Sequence, residues 1–586
     1  MKRKLLILFA FLGLGLVGYF YISKDFKKTK DTIYFNATII TLDEQLPLAQ
    51  AMLVKDGIIT ALGTNAKINK LKTDNILSVD LKGATILPGF IDSHTHVALS
   101  AFLESMVDLS GFTHKTNEAV WNHLKKSIND KKTGDWVVCK GLDPILTEDL
   151  IAPNMAFLDK IAPNNPLVII SQSLHTYWAN SKAFELTGIT KESKNPSKSS
   201  YYEKDANGNL TGLIAEQKAF APFLDQLKKG ALSSKKLVNS TASVLKNYAK
   251  NGNTTIVSAG LTINDAKPLR LYEHLSNNKP SFINQVLATF GMLPKRTQNP
   301  RHFIYIRYDR AFLLPKEKNQ NNDFYNIIGI KHWYDGSPYT GSMYIEEPYM
   351  ISEFNQNKLH IPEGSRGQPL IKKENLIQFI KDYHRKGWQI AIHTQGDIAN
   401  KNVLEAFSEV NKTLDTKNGR HRIEHCLLLS DSSLTTMKAL HITPSFHINH
   451  LYFYGKALKE NIIGDQRANK ILPLLSAQNK GIKFSLHADQ PMFESNPLRL
   501  IQTAVERQTK EGDTLGFNQK ISTLNALKAM TINAAWQIHM EDKIGSLKKG
   551  KYADFVILDK NPLIAPIHQI QDIKILKTVV NGNAVE

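Results

Sequence analysis

The chain has 586 residues, 42% hydrophobic and 22% charged, which excludes a small binding module and a disordered or collagen-like polymer. Its net charge of +19 invites a nucleic-acid reading, but the lysines are spread along the chain and rarely interleave with aromatics, so no nucleic-acid partner is expected. Two cysteines, Cys139 and Cys426, are too few for a disulfide framework or a cysteine-rich zinc site.

The first informative element is N-terminal. Lys2, Arg3 and Lys4 precede an uncharged apolar run over residues 5–22, and lysines follow it. Such a run reaches across a bilayer core, and the bulky residues near Tyr19 and Phe20 disfavour signal cleavage. The expectation is a signal-anchor over residues 1–30 with the rest of the chain on the periplasmic side. If the segment is cleaved instead, the product is secreted to the periplasm.

Next come short strand-like stretches over 31–41 and 51–60, and similar texture returns over 544–559 and 573–585. One small composite β-sandwich from residues 31–83 and 543–586 is predicted. Between the two ends, apolar strands alternate with amphipathic helices. Eight strands are expected at residues 85–92, 254–259, 281–290, 327–333, 389–393, 422–428, 442–446 and 482–486. Helices are expected at 375–386, 400–411, 431–440 and 497–508. This is the pattern of a (β/α)8 TIM-type barrel over residues 84–542, with an insertion at about 99–252 expected to cover its mouth.

Hydrolysing an amide at neutral pH calls for an activated water and a polarised carbonyl, and a divalent metal supplies both. His94 and His96, two apart on a strand, point the same way and can grip one ion. Alone the pair is weak evidence. His393, His425 and Asp489 then fall at the carboxyl ends of later predicted strands, where sites of this fold gather. Imidazole and carboxylate suit zinc or another first-row ion. Cys426, next to His425, reads as a small buried filler.

Several runs together resemble the amidohydrolase superfamily, and within it the family 3 branch of exo-acting amidases and N-substituted formamide deformylase-like enzymes. They are Leu87-Pro-Gly-Phe-Ile-Asp-Ser-His-Thr-His96, His175-Thr-Tyr-Trp-Ala-Asn-Ser-Lys-Ala183, Gly212-Leu-Ile-Ala-Glu216, Lys331-His-Trp-Tyr-Asp-Gly-Ser337, His393 to Asp397, Arg422 to His425, Asp489 and Gly545 to Asp554. The resemblance implies a metal-dependent hydrolase of carbon–nitrogen bonds other than peptide bonds, holding one or two divalent ions, zinc foremost. It implies that His94 and His96 bind the more buried ion and His393 and His425 the second. It further implies that Lys331, at the end of the fourth strand, is carboxylated and bridges the ions. Asp489 would contact metal and act as general base toward a metal-activated hydroxide.

Asp335, His175 and Glu216 are the substrate-binding candidates, with Trp333 and Tyr334 as apolar walls, while Asp397 and Arg422 are expected to orient ligands. The expected partners are a small-molecule amide and, through the N-terminal segment, a membrane; a homodimer is the candidate assembly. Two other readings stay open. One is a mononuclear deaminase of a heterocycle, which would place a glutamate near His393, where Thr-Gln-Gly-Asp stands instead. The other is a membrane-anchored binding protein on a hydrolase fold.

Overall fold

The computed structural model describes residues 30–197, 200–229, 234–261, 263–278, 281–317 and 322–585. Residues 1–29, which carry the expected anchor, lie outside them; among the described residues no helix is long and apolar enough to cross a membrane. The chain divides into two compact units, the described part of Met1–Ala98 with Ala242–Glu586, and Leu99–Thr241.

In the first unit, eight parallel strands follow one another in sequence order around a barrel: β1 (Phe90–Thr95), β2 (Asn253–Leu261), β3 (Arg301–Arg307), β4 (Tyr325–Trp333), β5 (Gln389–Thr394), β6 (Arg422–His425), β7 (Thr443–Phe446) and β8 (Ser485–Leu486). Backbone pairing runs unbroken from β1 to β8. Between β8 and β1 the ring is bridged by side chains, Ser93 Oγ lying 2.8 Å from Ser485 Oγ. The strands are almost wholly buried, as a barrel wrapped by helices requires.

Two expectations are corrected. Residues 281–290 are not the third strand: Phe282–Thr289 is a helix, and the third strand is Arg301–Arg307. The apolar run misleads because this helix is inverted, with Asn284 and Gln285 buried while Phe282, Ile283 and Phe290 face outward. The true strand is masked by arginines at both ends. The expected first strand, 85–92, divides at Gly89, where a Cβ would come within 2.1 Å of the Thr254 side chain. Thr85–Pro88 leaves the barrel and pairs with Phe555–Leu558, and β1 begins at Phe90.

That pairing joins both ends of the chain in one sheet, ordered Asn583–Ala584, Ile575–Val580, Phe555–Leu558, Thr85–Pro88, Thr38–Ile40, Leu48–Ala49. A second sheet contains Ile58–Gly63, Ala51–Lys55, Thr32–Phe35 and Leu77–Asp80. Tyr34, Met52 and Val54 of one pack with Ile39, Ile86, Phe555 and Val579 of the other in a common sandwich core.

The unit Leu99–Thr241 has its own six-stranded sheet, ordered Tyr201–Lys204, Leu210–Ala215, Thr176–Ala179, Leu167–Ser171, Val137–Leu142, Val107–Asp108. Alternation along its strands feeds two cores. Val138, Val168 and Ile170 pack beneath Phe220 and Phe223 of helix Glu216–Lys229. Val137, Cys139 and Ile169 pack beneath Val120 and Leu124 of helix Asn117–Asn129.

One buried ion pair ties β3 to the sandwich. Arg301 Nε and Nη2 reach Asp554 at 2.5 and 3.0 Å, with both side chains almost inaccessible. The guanidinium is stacked on Phe324 and Tyr552, 3.8 and 4.2 Å from their ring centres. Asp554→Ala leaves Arg301 charged and unpaired in a dry interior, with an expected loss of about 3–5 kcal/mol in urea unfolding. A loss below about 1 kcal/mol would reduce the pair to the worth of a surface bridge.

Candidate metal-binding site

The carboxyl ends of the barrel strands gather a set of histidines and carboxylates, and the set is built outward from β6. Arg422 and Glu424 are two apart on that strand, so they face the same side, and both are fully buried. Arg422 Nε lies 2.8 Å from Glu424 Oε1, and Nη2 donates to Oε2 at 3.0 Å and to the Ser93 carbonyl at 2.9 Å. His94 Nδ1 meets Glu424 Oε2 at 2.6 Å. The carboxylate accepts from Nδ1–H and leaves the Nε2 lone pair pointing into the site.

His94 Nε2 faces Asp489 Oδ1 at 3.4 Å, and His96 Nε2 faces the same oxygen at 2.9 Å. The other carboxylate oxygen lies 4.0 Å from Nδ1 of both His425 and His447. Burial alone would raise the Asp489 pKa. The His96 hydrogen bond and the positive fields of His96, His447 and His487 instead hold it well below the usual carboxylate range. Burial, followed by the positive fields of its neighbours, keeps His94 well below the ordinary histidine value, so it stays neutral and able to ligate. His425 and Asp489 both adopt left-handed backbone, φ 72° and 59°, at the ends of β6 and β8.

Lys331, two residues before the end of β4, is fully buried, its Nζ without a hydrogen-bond partner and 5.1 Å from the centre of the Trp333 ring. Burial lowers its pKa to about 8, opposed by Glu424 and Asp489. His393 is lowered to about 3, mainly by burial, and its Nε2 also lacks a partner. Its ring centre lies 4.3 Å from that of His425.

Among the described residues, three groups of possible ligand atoms lie within 4.8 Å of one another: His94, His96 and Asp489; His94, His425 and His487; and His425, His447 and His450. A buried cluster with an amine and an imidazole nitrogen that lack hydrogen-bond partners fits a divalent ion. An all-nitrogen-and-oxygen donor set is what zinc and neighbouring first-row ions take.

Of the other candidates, Asp335 lies beside the cluster, its Oδ1 3.9 Å from His393 Nε2. Asp335 is fully buried, and its carboxylate accepts from the backbone N–H of Tyr344, Gln395 and Gly396 at 3.0, 2.9 and 2.9 Å. Its oxygens are engaged in tying the loop after β4 to the loop after β5. Asp397 Oδ1 similarly accepts from Glu346 N. Tyr334 is buried and Trp333 half-buried. His175 and Glu216 belong to the unit Leu99–Thr241, where they pair with each other, His175 Nδ1 lying 3.1 Å from both carboxylate oxygens. Cys426 is buried and its thiol pushed well above the ordinary value by burial, hence protonated and inert.

Sequence reasoning singled out neither His447, His450 nor His487. His447 and His450 directly follow β7, the position that drew attention to the others, and His487 stands two residues before Asp489. His450 is held on both sides, by Tyr339 Oη at 2.6 Å and by the Gln395 amide at 3.1 Å.

Comparison with known proteins agrees with this architecture. A family model described as "Amidohydrolase family" matches residues 78–586. Protein LONG AFTER FAR-RED 3 of Arabidopsis thaliana is 27% identical over 91% of this chain and 87% of its own length. N-substituted formamide deformylase of Arthrobacter pascens is 25% identical over 94% and 98%. A solved metal-dependent hydrolase of Pyrococcus horikoshii, uncharacterized by its description, superposes with a TM-score of 0.69 over 92% of this chain and 99% of that one, at 23% identity. The match over most of the length, on a barrel whose strand ends carry this histidine and carboxylate cluster, means that the chain belongs to the amidohydrolase family.

Proposed function

We propose that the chain hydrolyses a carbon–nitrogen bond other than a peptide bond in a small-molecule amide. The observation that carries the reading is the convergence of His94, His96 and Asp489 ligand atoms, together with buried Lys331 and His393 nitrogens that lack a hydrogen-bond partner. The relative that acts on N-substituted formamides supports the bond class. Zinc is the proposed ion on the strength of the donor set. The reading also includes an N-terminal membrane anchor and a periplasmic catalytic domain, supported by the charge-flanked apolar run of residues 5–22.

His94, His96, His393, His425 and Asp489, with Lys331 once carboxylated, would hold the metal. When bound, it supplies Lewis acidity toward a water and a carbonyl oxygen. The protein's own work is to hold and move protons. Glu424 fixes the His94 tautomer. Asp489, ionised and bracketed by histidines, accepts the proton of the attacking water and returns it to the leaving nitrogen. Burial leaves a sizeable fraction of Lys331 as neutral amine near pH 8, the form that adds carbon dioxide.

Asp489→Asn, compared with wild type at equal metal content by mass spectrometry, should cut kcat by about 10²–10⁴-fold, the usual worth of a general base. The assay substrate comes from screening the metal-loaded protein against N-acyl amino acids, N-substituted formamides and cyclic amides. Retained turnover in the variant would remove the role of Asp489, and a null screen with full metal loading would overturn the bond class.

Carbon-13 NMR after loading metal in labelled bicarbonate should show a carbamate resonance that Lys331→Ala lacks. Identical spectra for the two proteins would refute carboxylation of Lys331.

A further inference from the structure

His487 has no part in the reading above, yet it lies at the bottom of the same cluster. Its ring stacks on His94 with centres 4.5 Å apart and 17° between planes. Its Nε2 faces His425 Nδ1 at 3.4 Å. All three side chains are essentially inaccessible, and their ligand atoms form one of the groups within 4.8 Å.

That 3.4 Å separation is long for a hydrogen bond between neutral imidazoles. It equals the edge of a tetrahedron, since two nitrogens each bound to zinc at about 2.0–2.1 Å lie about 3.4 Å apart. Histidine ligands characteristically present one ring nitrogen to the ion and give the other, as N–H, to an acceptor. His94 does so through Glu424, and His487 has the matching partner in Ser445 Oγ, 2.8 Å from its Nδ1.

The hydrogen bonds behind Ser445 accommodate that tautomer. Gln537 Nε2 donates to the Pro444 carbonyl at 2.9 Å, which fixes the amide with Oε1 toward Ser485, 2.6 Å away. Ser485 therefore donates to Gln537. Ser93 then donates to Ser485 at 2.8 Å, Ser445 to Ser93 at 3.1 Å, and His487 Nδ1–H to Ser445. Every hydroxyl in the chain donates once and accepts once. That leaves the His487 Nε2 lone pair unprotonated, 3.4 Å from His425 Nδ1 and in the same group of ligand atoms as His94.

We propose that His487 is a further metal ligand, completing with His94 and His425 an all-imidazole subsite for a first-row divalent cation beneath Asp489. The proposal rests on the metal-dependent reading but adds a ligand that reading does not use. An ion bound there has nitrogen donors from three different strand ends, β1, β6 and the residue after β8. Such a subsite favours zinc, cobalt or nickel over magnesium or calcium, which take oxygen ligands.

Cobalt(II) titration of the full chain tests it by visible absorption and by bound cobalt per chain. His487→Gln is expected to weaken the tightest cobalt site by at least about 100-fold and to change its ligand-field bands. Ser445→Ala, which keeps the imidazole but removes its acceptor, is expected to cost about 10–100-fold. Unfolding midpoints of the metal-free proteins establish that both variants fold. Affinity and spectrum unchanged in a folded His487→Gln chain would overturn the assignment of His487 alone. A wild-type chain that takes up no cobalt would overturn the metal-dependent reading itself.

Discussion

The guanidinium of Arg422 sits where water cannot reach it, and the geometry of the metal-binding cluster follows from how that charge is neutralised. Removing one such ion from water costs several kcal/mol, so the fold must supply a close, oriented counter-charge. Glu424, two residues along the same strand, does this with both oxygens. One of these oxygens also accepts from His94, and the tautomer of that imidazole is thereby set by a charge lodged in the barrel wall. Substituting Glu424 with an apolar residue would strand the guanidinium and release the histidine together.

The loops that surround the cluster are held by a second economy of buried groups. Asp335 is raised to about 7 by burial, against the pull of the backbone N–H groups it accepts from. It nevertheless joins the loops after β4 and β5, the strands that carry Lys331 and His393, and Gln395 belongs to the second of these loops. Gln395 in turn reaches His450, and His450 reaches Tyr339, so the ends of β4, β5 and β7 are linked by polar side chains. Rigid support of this kind keeps metal-site residues within ångströms of useful geometry, and it draws on neutral or hydrogen-bonded groups rather than exposed charge.

Much of this was legible from residue order because barrel strands alternate with helices and their carboxyl ends carry the chemistry. Lys331 falls on β4 even though the third strand is displaced by some twenty residues, because a helix mistaken for a strand and a strand passed over lie consecutively in the chain. Arg301–Arg307 escapes notice for a physical reason. Its first residue is an arginine that is buried only because Asp554, far along the chain, neutralises it, and no local pattern announces such a pairing. His447, His450 and His487 escape for another. Each is an unremarkable histidine in sequence, and only the curvature of the barrel brings the ends of β1, β6, β7 and β8 within a few ångströms. Asp335 was legible as a residue beside the site, while its three backbone partners, which come from two separate loops, were not.

The sheet that joins Thr85–Pro88 to Phe555–Leu558 has a consequence for biosynthesis. Thr38–Ile40 and Thr85–Pro88 emerge from the ribosome before the barrel strands, while the strand that covers the other edge of Thr85–Pro88 is made after all of them. Until then an apolar strand stands with one edge unpaired, the kind of template that recruits strands from other chains. The barrel can close before that edge is covered, but the sandwich cannot. Translation speed through the barrel codons, and chaperones that shield strand edges, therefore bear on the yield of this protein more than on that of a fold whose neighbouring strands are consecutive.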